Sequence, residues 1–181
     1  WWVVAIGAAF SLARFSQAFL VLRAAGLGVP AAAVPLVMMA MNLVYAASAY
    51  PFGRLADRMS RSALLAAGLV TLVMADLALA AAQGWALLAL GIALWGAHLG
   101  MTQGLLAAMV ADAAPQDLRG TAYGVFNLVS GLALLLASTT AGWLWERVGP
   151  AGSFLAGAGF ATLCLLLAAV ARWLTLRRRA G

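Results

Sequence analysis

A short polar island separates two long apolar runs of this chain and reads Gly53-Arg54-Leu55-Ala56-Asp57-Arg58-Met59-Ser60-Arg61. It holds four charged residues, although only 9% of the chain is charged. An ionised side chain at the centre of a bilayer costs about 2.5 to 3.5 kcal/mol on insertion scales. The island is therefore predicted to be a loop in water or among lipid headgroups, between two segments that cross a membrane.

Composition places the whole chain in the membrane class. Hydrophobic residues make up 66% of its 181 residues and the mean hydropathy is +1.01, which is too apolar for a soluble domain. The net charge of +6 comes from eleven arginines, but these are scattered over loop ends and a tail. They form no basic face that would follow nucleic-acid phosphates, so we expect no nucleic-acid partner. Cys164 is the single cysteine, which excludes an intrachain disulfide.

Six apolar runs are each long enough, at about twenty residues, to cross a bilayer as a helix. They lie near 2–22, 32–52, 63–83, 86–110, 120–143 and 152–173, and a tail follows at 174–181. Because lipid offers the backbone no hydrogen-bond partners, these runs are predicted to be helical. The predicted fold is an all-α integral membrane bundle in one domain, 1–181. The chain starts without an initiator Met, and we expect it to be part of a longer protein.

Arginine placement predicts the orientation, because loops rich in Lys and Arg stay on the cytoplasmic side. One side carries Arg54, Arg58, Arg61, Arg119, Arg172, Arg177, Arg178 and Arg179, and the other carries Arg23 and Arg147. The island and the C-terminal tail are therefore expected in the cytoplasm. The opposite interface is expected to hold Trp85, Trp143 and Trp145, since indole rings favour that depth.

The island resembles the signature loop of the major facilitator superfamily, G-x-x-x-D-(R/K)-x-G-(R/K)-(R/K), which follows the second helix of a six-helix half. The matching positions are Gly53, Asp57, Arg58 and Arg61, whereas Ser60 and Ser62 replace a Gly and a basic residue. A second resemblance is the stretch D-x-x-P-x-x-x-R-G-x-x-x-G, which links the fourth and fifth helices. It is matched by Asp112, Pro115, Arg119, Gly120 and Gly124.

The resemblance implies half of a transporter whose two six-helix halves, each a pair of inverted three-helix repeats, rock about a central site. The arginine-bearing motif of N-terminal fourth helices and the G-P-x-x-G-G motif of fifth helices are missing, so the chain resembles a C-terminal half. The missing N-terminal half, or a second copy, is then an expected partner, together with lipid and a small-molecule substrate.

In the resembling transporters the signature loop is a gate latch, a set of contacts that closes one end of the protein in one conformation. Here the latch candidates are Gly53, Arg54, Asp57, Arg58, Arg61 and Arg119. Gly53 is expected to let the chain leave the second helix and to allow close helix approach, and Asp57 to meet the start of the third helix. The arginines have Asp57, Asp112, Asp117 or anionic lipid as candidate partners. The alternative is a topological anchor without a switching role.

Polar residues within the apolar runs are candidates for a cavity wall, because they are expensive in lipid. Ser11, Arg14 and Gln17 recur every three residues and form one stripe. By resemblance the first and fourth helices line the cavity, so Arg14 is expected to contact an anionic substrate group or a carboxylate of the other half. The alternative is a structural ion pair with Asp76, which we expect to support packing.

His98 and Thr102 share a face of the fourth helix, and Gln103 is next to Thr102 but turned aside from that face, although it too is a cavity candidate. His98 is a candidate proton carrier, and the alternative is a hydrogen bond to a neighbouring backbone carbonyl. On the fifth helix Tyr123, Asn127, Ser130 and Ser138 make a polar stripe. Asn127 is a candidate substrate contact, and the alternative is interhelical hydrogen bonding.

The expected function is secondary active transport across a bacterial inner membrane, with energy from an ion gradient, because no nucleotide-binding loop is present. By resemblance, proton-coupled efflux of drug-like or metabolite substrates is favoured, and proton-coupled uptake or a non-transporting scaffold are the alternatives. No enzyme activity, cofactor or metal is expected. A rhomboid-type protease requires a G-x-S-G serine and a later histidine, and a water channel requires two N-P-A turns. Neither pattern occurs here.

Overall fold

The computed structural model describes residues 1–180, with the side chains of 171–176 and 178–180 left aside. Helices dominate this part of the chain, and no strand occurs in it. Seven helices are present: α1 Trp2–Ala13, α2 Ala18–Gly26, α3 Val34–Ala56, α4 Arg61–Ala81, α5 Trp85–Ala113, α6 Arg119–Val148 and α7 Pro150–Ala180. Because α1 and α2 together make one span, six spans are long and apolar enough to cross a membrane. The predicted all-α membrane fold is confirmed.

The first span is broken near its middle, which the prediction of one continuous helix over 2–22 missed. Arg14 ends α1 with extended backbone angles, φ −122° and ψ 110°, and α2 begins only after Gln17. Ser16 accounts for the break, because serine offers the backbone hydrogen bonds outside the helix. Its N–H donates to Ser138 Oγ at 3.0 Å, and its own hydroxyl accepts from the N–H of Ala18 at 3.3 Å. The three-residue stripe from Ser11 to Gln17 is therefore interrupted.

The other helices extend beyond the predicted apolar runs at several ends. The second run reaches Ala56 instead of 52, the fourth reaches Ala113 instead of 110, and the fifth reaches Val148 instead of 143. Apolar side chains mark the part of a helix that crosses the hydrocarbon, whereas the helical backbone conformation continues beyond that part. Gly149, with φ +93°, ends α6. The expected tail continues α7 through Ala180, while the side chains of Arg172, Arg178 and Arg179, and all of Gly181, lie outside the described residues.

Helix α5 contacts more of the other helices than any other element does, and α4 packs mainly against α5 and α7. Helix α5 also packs closely on α3, because Gly96 and Gly100 leave room for the α3 backbone and Ser48. Few side chains of α3 and α6 are buried, and both helices present long apolar faces to their surroundings.

An aromatic cluster fills the space beside the break in the first span. Phe15 packs on Phe19, Trp95 and Phe154, with ring centroids 5.1 to 5.4 Å apart. Trp145 joins this cluster, with its ring 5.6 Å from that of Phe19. Trp145 therefore packs inward, unlike Trp85 and Trp143, which are 64% and 58% exposed.

Candidate functional site: a polar cavity and an arginine loop

A cavity of about 320 Å³ lies between α1, α5 and α6. Five of the six residues predicted to line a substrate cavity meet there, namely Arg14, His98, Thr102, Gln103 and Asn127. Gln17 does not line it, because the break in the first span changes the helical phase between Arg14 and Gln17. Within the described part of the chain, no three His, Cys, Asp or Glu side chains gather into a group able to hold a metal ion.

The α5 wall of the cavity is fixed by hydrogen bonds to backbone carbonyls. His98 is 1% exposed, and its Nδ1–H donates to the carbonyl of Gly68 on α4 at 2.8 Å. Thr102 donates its hydroxyl to the His98 carbonyl, also at 2.8 Å. A methyl group at Gly68 would collide with Thr102, so glycine allows this approach. A hydrogen bond from His98 to a backbone carbonyl was the alternative to a proton-carrying role, and this bond is present. It uses Nδ1, so Nε2 is the ring nitrogen that this bond does not use.

Arg14 is partly buried and lines the cavity from the first span. The alternative prediction of an ion pair with Asp76 is wrong. Both carboxyl oxygens of Asp76 lack a hydrogen-bond partner among the described residues, so Asp76 forms no ion pair with Arg14. Because the backbone of Arg14 is extended, its side chain and that of Phe15 point to opposite sides. Arg14 thus lines the cavity without a carboxylate partner among the described residues.

The α6 wall combines aromatic and polar groups. Tyr123 donates its hydroxyl to the carbonyl of Ala107 at 2.7 Å, while Ser130 Oγ is buried without a hydrogen-bond partner. Phe126 lies between them on the lining, and Phe10 stacks on His98 with centroids 6.5 Å apart. Sequence reasoning missed Phe10 and Phe126. The sequence offered one indication of them: each directly precedes a residue of a polar stripe, Ser11 or Asn127.

The arginine loop joins two helix ends through one ion pair. Arg61, the first residue of α4, donates from its guanidinium to the carboxylate of Asp112 near the end of α5. Both side chains are about half exposed, at 49% and 56%. Asp112 was one of several candidate partners predicted for the loop arginines, and in the structure it is the partner of Arg61.

Two details of the loop differ from the expected geometry. Gly53 lies inside α3 with no positive φ, and no described atom lies within 4 Å of where its Cβ would be, so it serves neither helix exit nor close approach. Asp57 ends α3, and α4 is instead capped by Ser60, whose hydroxyl accepts from the N–H of Ala63 at 3.4 Å. A serine at the N-cap satisfies this end of α4 directly, which leaves the Asp57 side chain exposed.

Two other latch candidates, Arg54 and Arg119, contact residues close to them in the sequence. Arg54 lies over the ring of Tyr50, 5.9 Å from its centroid. Arg119 donates from Nε to the carbonyl of Ala111 at 3.1 Å and so ties the start of α6 to the end of α5. Arg58 is exposed at the surface of the loop.

Comparison with known proteins gives one family. The family described as Major Facilitator Superfamily matches residues 2–181. The chain is 34% identical over 170 residues to the uncharacterized MFS-type transporter MJ1317 of Methanocaldococcus jannaschii, covering 91% of this chain and 42% of that protein. It is 28% identical over 144 residues to the inner membrane transport protein YajR of Escherichia coli, covering 78% of this chain and 32% of that protein. The chain thus spans less than half the length of these relatives.

Proposed function

The chain belongs to the major facilitator superfamily, and we propose that it forms one six-helix half of a transporter that moves a small solute by alternating access. The observation that carries this proposal is the cavity between α1, α5 and α6. Its lining gathers polar side chains within spans that are otherwise apolar, and such residues in a membrane mark solute or ion pathways.

The chemistry of the lining favours a solute with an anionic group and an apolar body. Arg14 supplies a guanidinium that no carboxylate of the described residues neutralises, and guanidinium groups bind carboxylates and phosphates in a fixed geometry. Gln103 and Asn127 offer amide donors and acceptors, while Phe10 and Phe126 offer ring faces. A cavity of this composition resembles small-molecule sites, where a few polar groups orient a largely apolar ligand.

The second wall of the pathway is proposed to come from another six-helix unit, either an N-terminal half or a second copy of this chain. A cavity of about 320 Å³ borders only three helices of this half. The largely unburied faces of α3 and α6 leave surface for lipid and for that unit.

The ion pair between Arg61 and Asp112 is proposed to act in the gate latch. It bridges the ends of α4 and α5, so relative movement of these ends breaks or restores it. We propose that this end faces the cytoplasm, since arginine-rich loops favour that side. We also propose that the protein acts in a bacterial inner membrane by proton-coupled efflux.

Flux measurements on the complete protein in proteoliposomes test the proposal. A panel of organic anions is loaded inside, and a pH gradient of either sign is imposed. We expect proton-dependent solute movement that Arg14→Ala abolishes. The matched control is Arg147→Ala, which removes an exposed arginine outside the cavity and should preserve the flux. Solute accumulation with the opposite gradient would assign uptake. Flux that is indifferent to Arg14→Ala would contradict the cavity assignment, and no flux across the panel would favour a scaffold.

A further inference from the structure

Asp76 is a fully enclosed acid in the C-terminal half of α4. Its exposure is 0%, and neither carboxyl oxygen has a hydrogen-bond partner among the described residues. Gly157 of α7 and Phe15 at the break in the first span close around it. Oδ2 of Asp76 lies 2.7 Å, and Cε1 of Phe15 lies 2.8 Å, from the point where a Cβ of Gly157 would stand. The glycine therefore makes room for the acid.

No charged side chain among the described residues forms an ion pair with this acid. The ionisable side chains within the apolar parts of the neighbouring spans are engaged or placed elsewhere. On α5, His98 bonds to Gly68, eight residues or about 12 Å from Asp76 along α4. On α7, Cys164 reaches the carbonyl of Ala9. From the first span, Arg14 lines the cavity, and Arg23 donates to the carbonyls of Leu79, Ala80 and Ala82 at the C-terminal end of α4, starting three residues after Asp76.

An unpaired carboxylate in such a place is far more costly than the neutral acid, because burial strips its hydration without supplying a counter-charge. The neutral form needs only a donor and an acceptor contact. Resting on the proposed transport function, we propose that Asp76 is a proton-binding site of this half, and that the break in the first span links its proton occupancy to the cavity.

The link is the pair of adjacent residues Arg14 and Phe15. Since the backbone at Arg14 is extended, the Arg14 side chain lines the cavity while Phe15 packs beside Asp76. Proton release leaves Asp76 as a carboxylate and transfers the proton to water. The carboxylate then requires a donor, and the buried Nε1–H of Trp95, which has no partner and whose ring packs on Phe15 at 5.4 Å, is one in the same cluster. Any shift of Phe15 that follows carries Arg14 with it.

Infrared spectroscopy of the complete protein tests the proton site without any transport measurement. We expect the carbonyl stretch of a protonated carboxylic acid in the wild-type protein at neutral pH. The band should disappear in Asp76→Asn and persist in the matched control Asp112→Asn, which removes an exposed carboxyl. A wild-type spectrum without this band overturns the proposal, even if Asp76→Asn fails to fold. A band that persists in a folded Asp76→Asn protein also overturns it.

Alkylation of a cavity thiol tests the link to the cavity. Gln103→Cys is placed on the lining in a Cys164→Ala background, with and without Asp76→Asn. The thiol reacts with the same pH dependence in both proteins, so the ratio of their labelling rates reports only the effect of the Asp76 carboxyl. We expect this ratio to be near one at low pH and to change severalfold as pH rises. A constant ratio overturns the link. A protein that shows the infrared band and the changing ratio but no flux would refute the transport proposal and leave the proton site intact.

Discussion

Arg14 and Asp76 lie on opposite sides of the broken first span and form no ion pair. Arg14 lines the cavity, whereas Asp76 is enclosed beside Phe15 and Gly157. Two groups that would neutralise each other in a packed bundle are thus held apart by four residues of non-helical chain. We propose that this separation keeps a positive charge for the solute and an acid for the proton.

Gly157→Ala is predicted to destabilise the protein by about 1 to 3 kcal/mol, the usual range for overpacking a core. The added methyl group would meet the Asp76 carboxyl and the Phe15 ring, neither of which has free space. Thermal unfolding in detergent measures the change. The matched control is Gly159→Ala, two residues on, where no described atom lies within 4 Å of the new methyl group. Equal stability of the two variants would contradict the packing described around Asp76.

Ser138→Ala is predicted to destabilise the break by about 1 to 3 kcal/mol, because the N–H of Ser16 loses its acceptor in a partly buried place. Thr139→Ala is the control, since Thr139 bonds only within its own helix, to the carbonyl of Leu135. Hydrogen exchange at the first span should rise in Ser138→Ala alone. Unchanged exchange would mean that another interaction holds the break open.

Arg23→Gln is predicted to loosen the end of α4, because the guanidinium donates to three carbonyls there at 2.5 to 3.4 Å. Hydrogen bonds of charged donors contribute about 1.5 to 3 kcal/mol each at most, and partial exposure lowers this value. The loss should appear in thermal unfolding, with Arg147→Gln as the exposed control. A loss of stability no larger than that of the control would contradict the role of Arg23 in holding the end of α4.

The ion pair between Arg61 and Asp112 is predicted to contribute only about 0.2 to 1 kcal/mol, since both side chains are half exposed. A double-mutant cycle with Arg61→Ala and Asp112→Ala measures its coupling energy. The exchange of the two residues, Arg61→Asp with Asp112→Arg, should restore most of the coupling. A coupling energy of zero would assign Arg61 to topology alone.

The sequence predicted the spans well because transfer of apolar side chains into lipid dominates their energetics and needs no knowledge of contacts. Five of the six cavity candidates line the cavity. His98 and Thr102 do so together because they are four residues apart on one helix face, whereas Arg14 was expected there from the family resemblance. Gln103 lines the cavity although helical spacing turned it aside from that face. The break in the first span could not be predicted from the sequence, because it depends on a hydrogen bond from Ser16 to a serine 122 residues later. Gln17 was misplaced for the same reason. The roles of Gly53 and Asp57 were also misplaced, because a local motif does not reveal which residue caps the following helix.

We propose that the cavity beside Arg14 is a solute pathway open in turn to each side of the membrane. The most direct test of this claim is alkylation of Asn127→Cys, in a Cys164→Ala background, in vesicles of both orientations made from the complete protein. Leu128→Cys, on the same helix but outside the lining, is the control. We predict that a membrane-impermeant reagent labels Asn127→Cys from both sides, and that a transported solute slows the reaction. Labelling from one side only, unaffected by any solute, would contradict the claim.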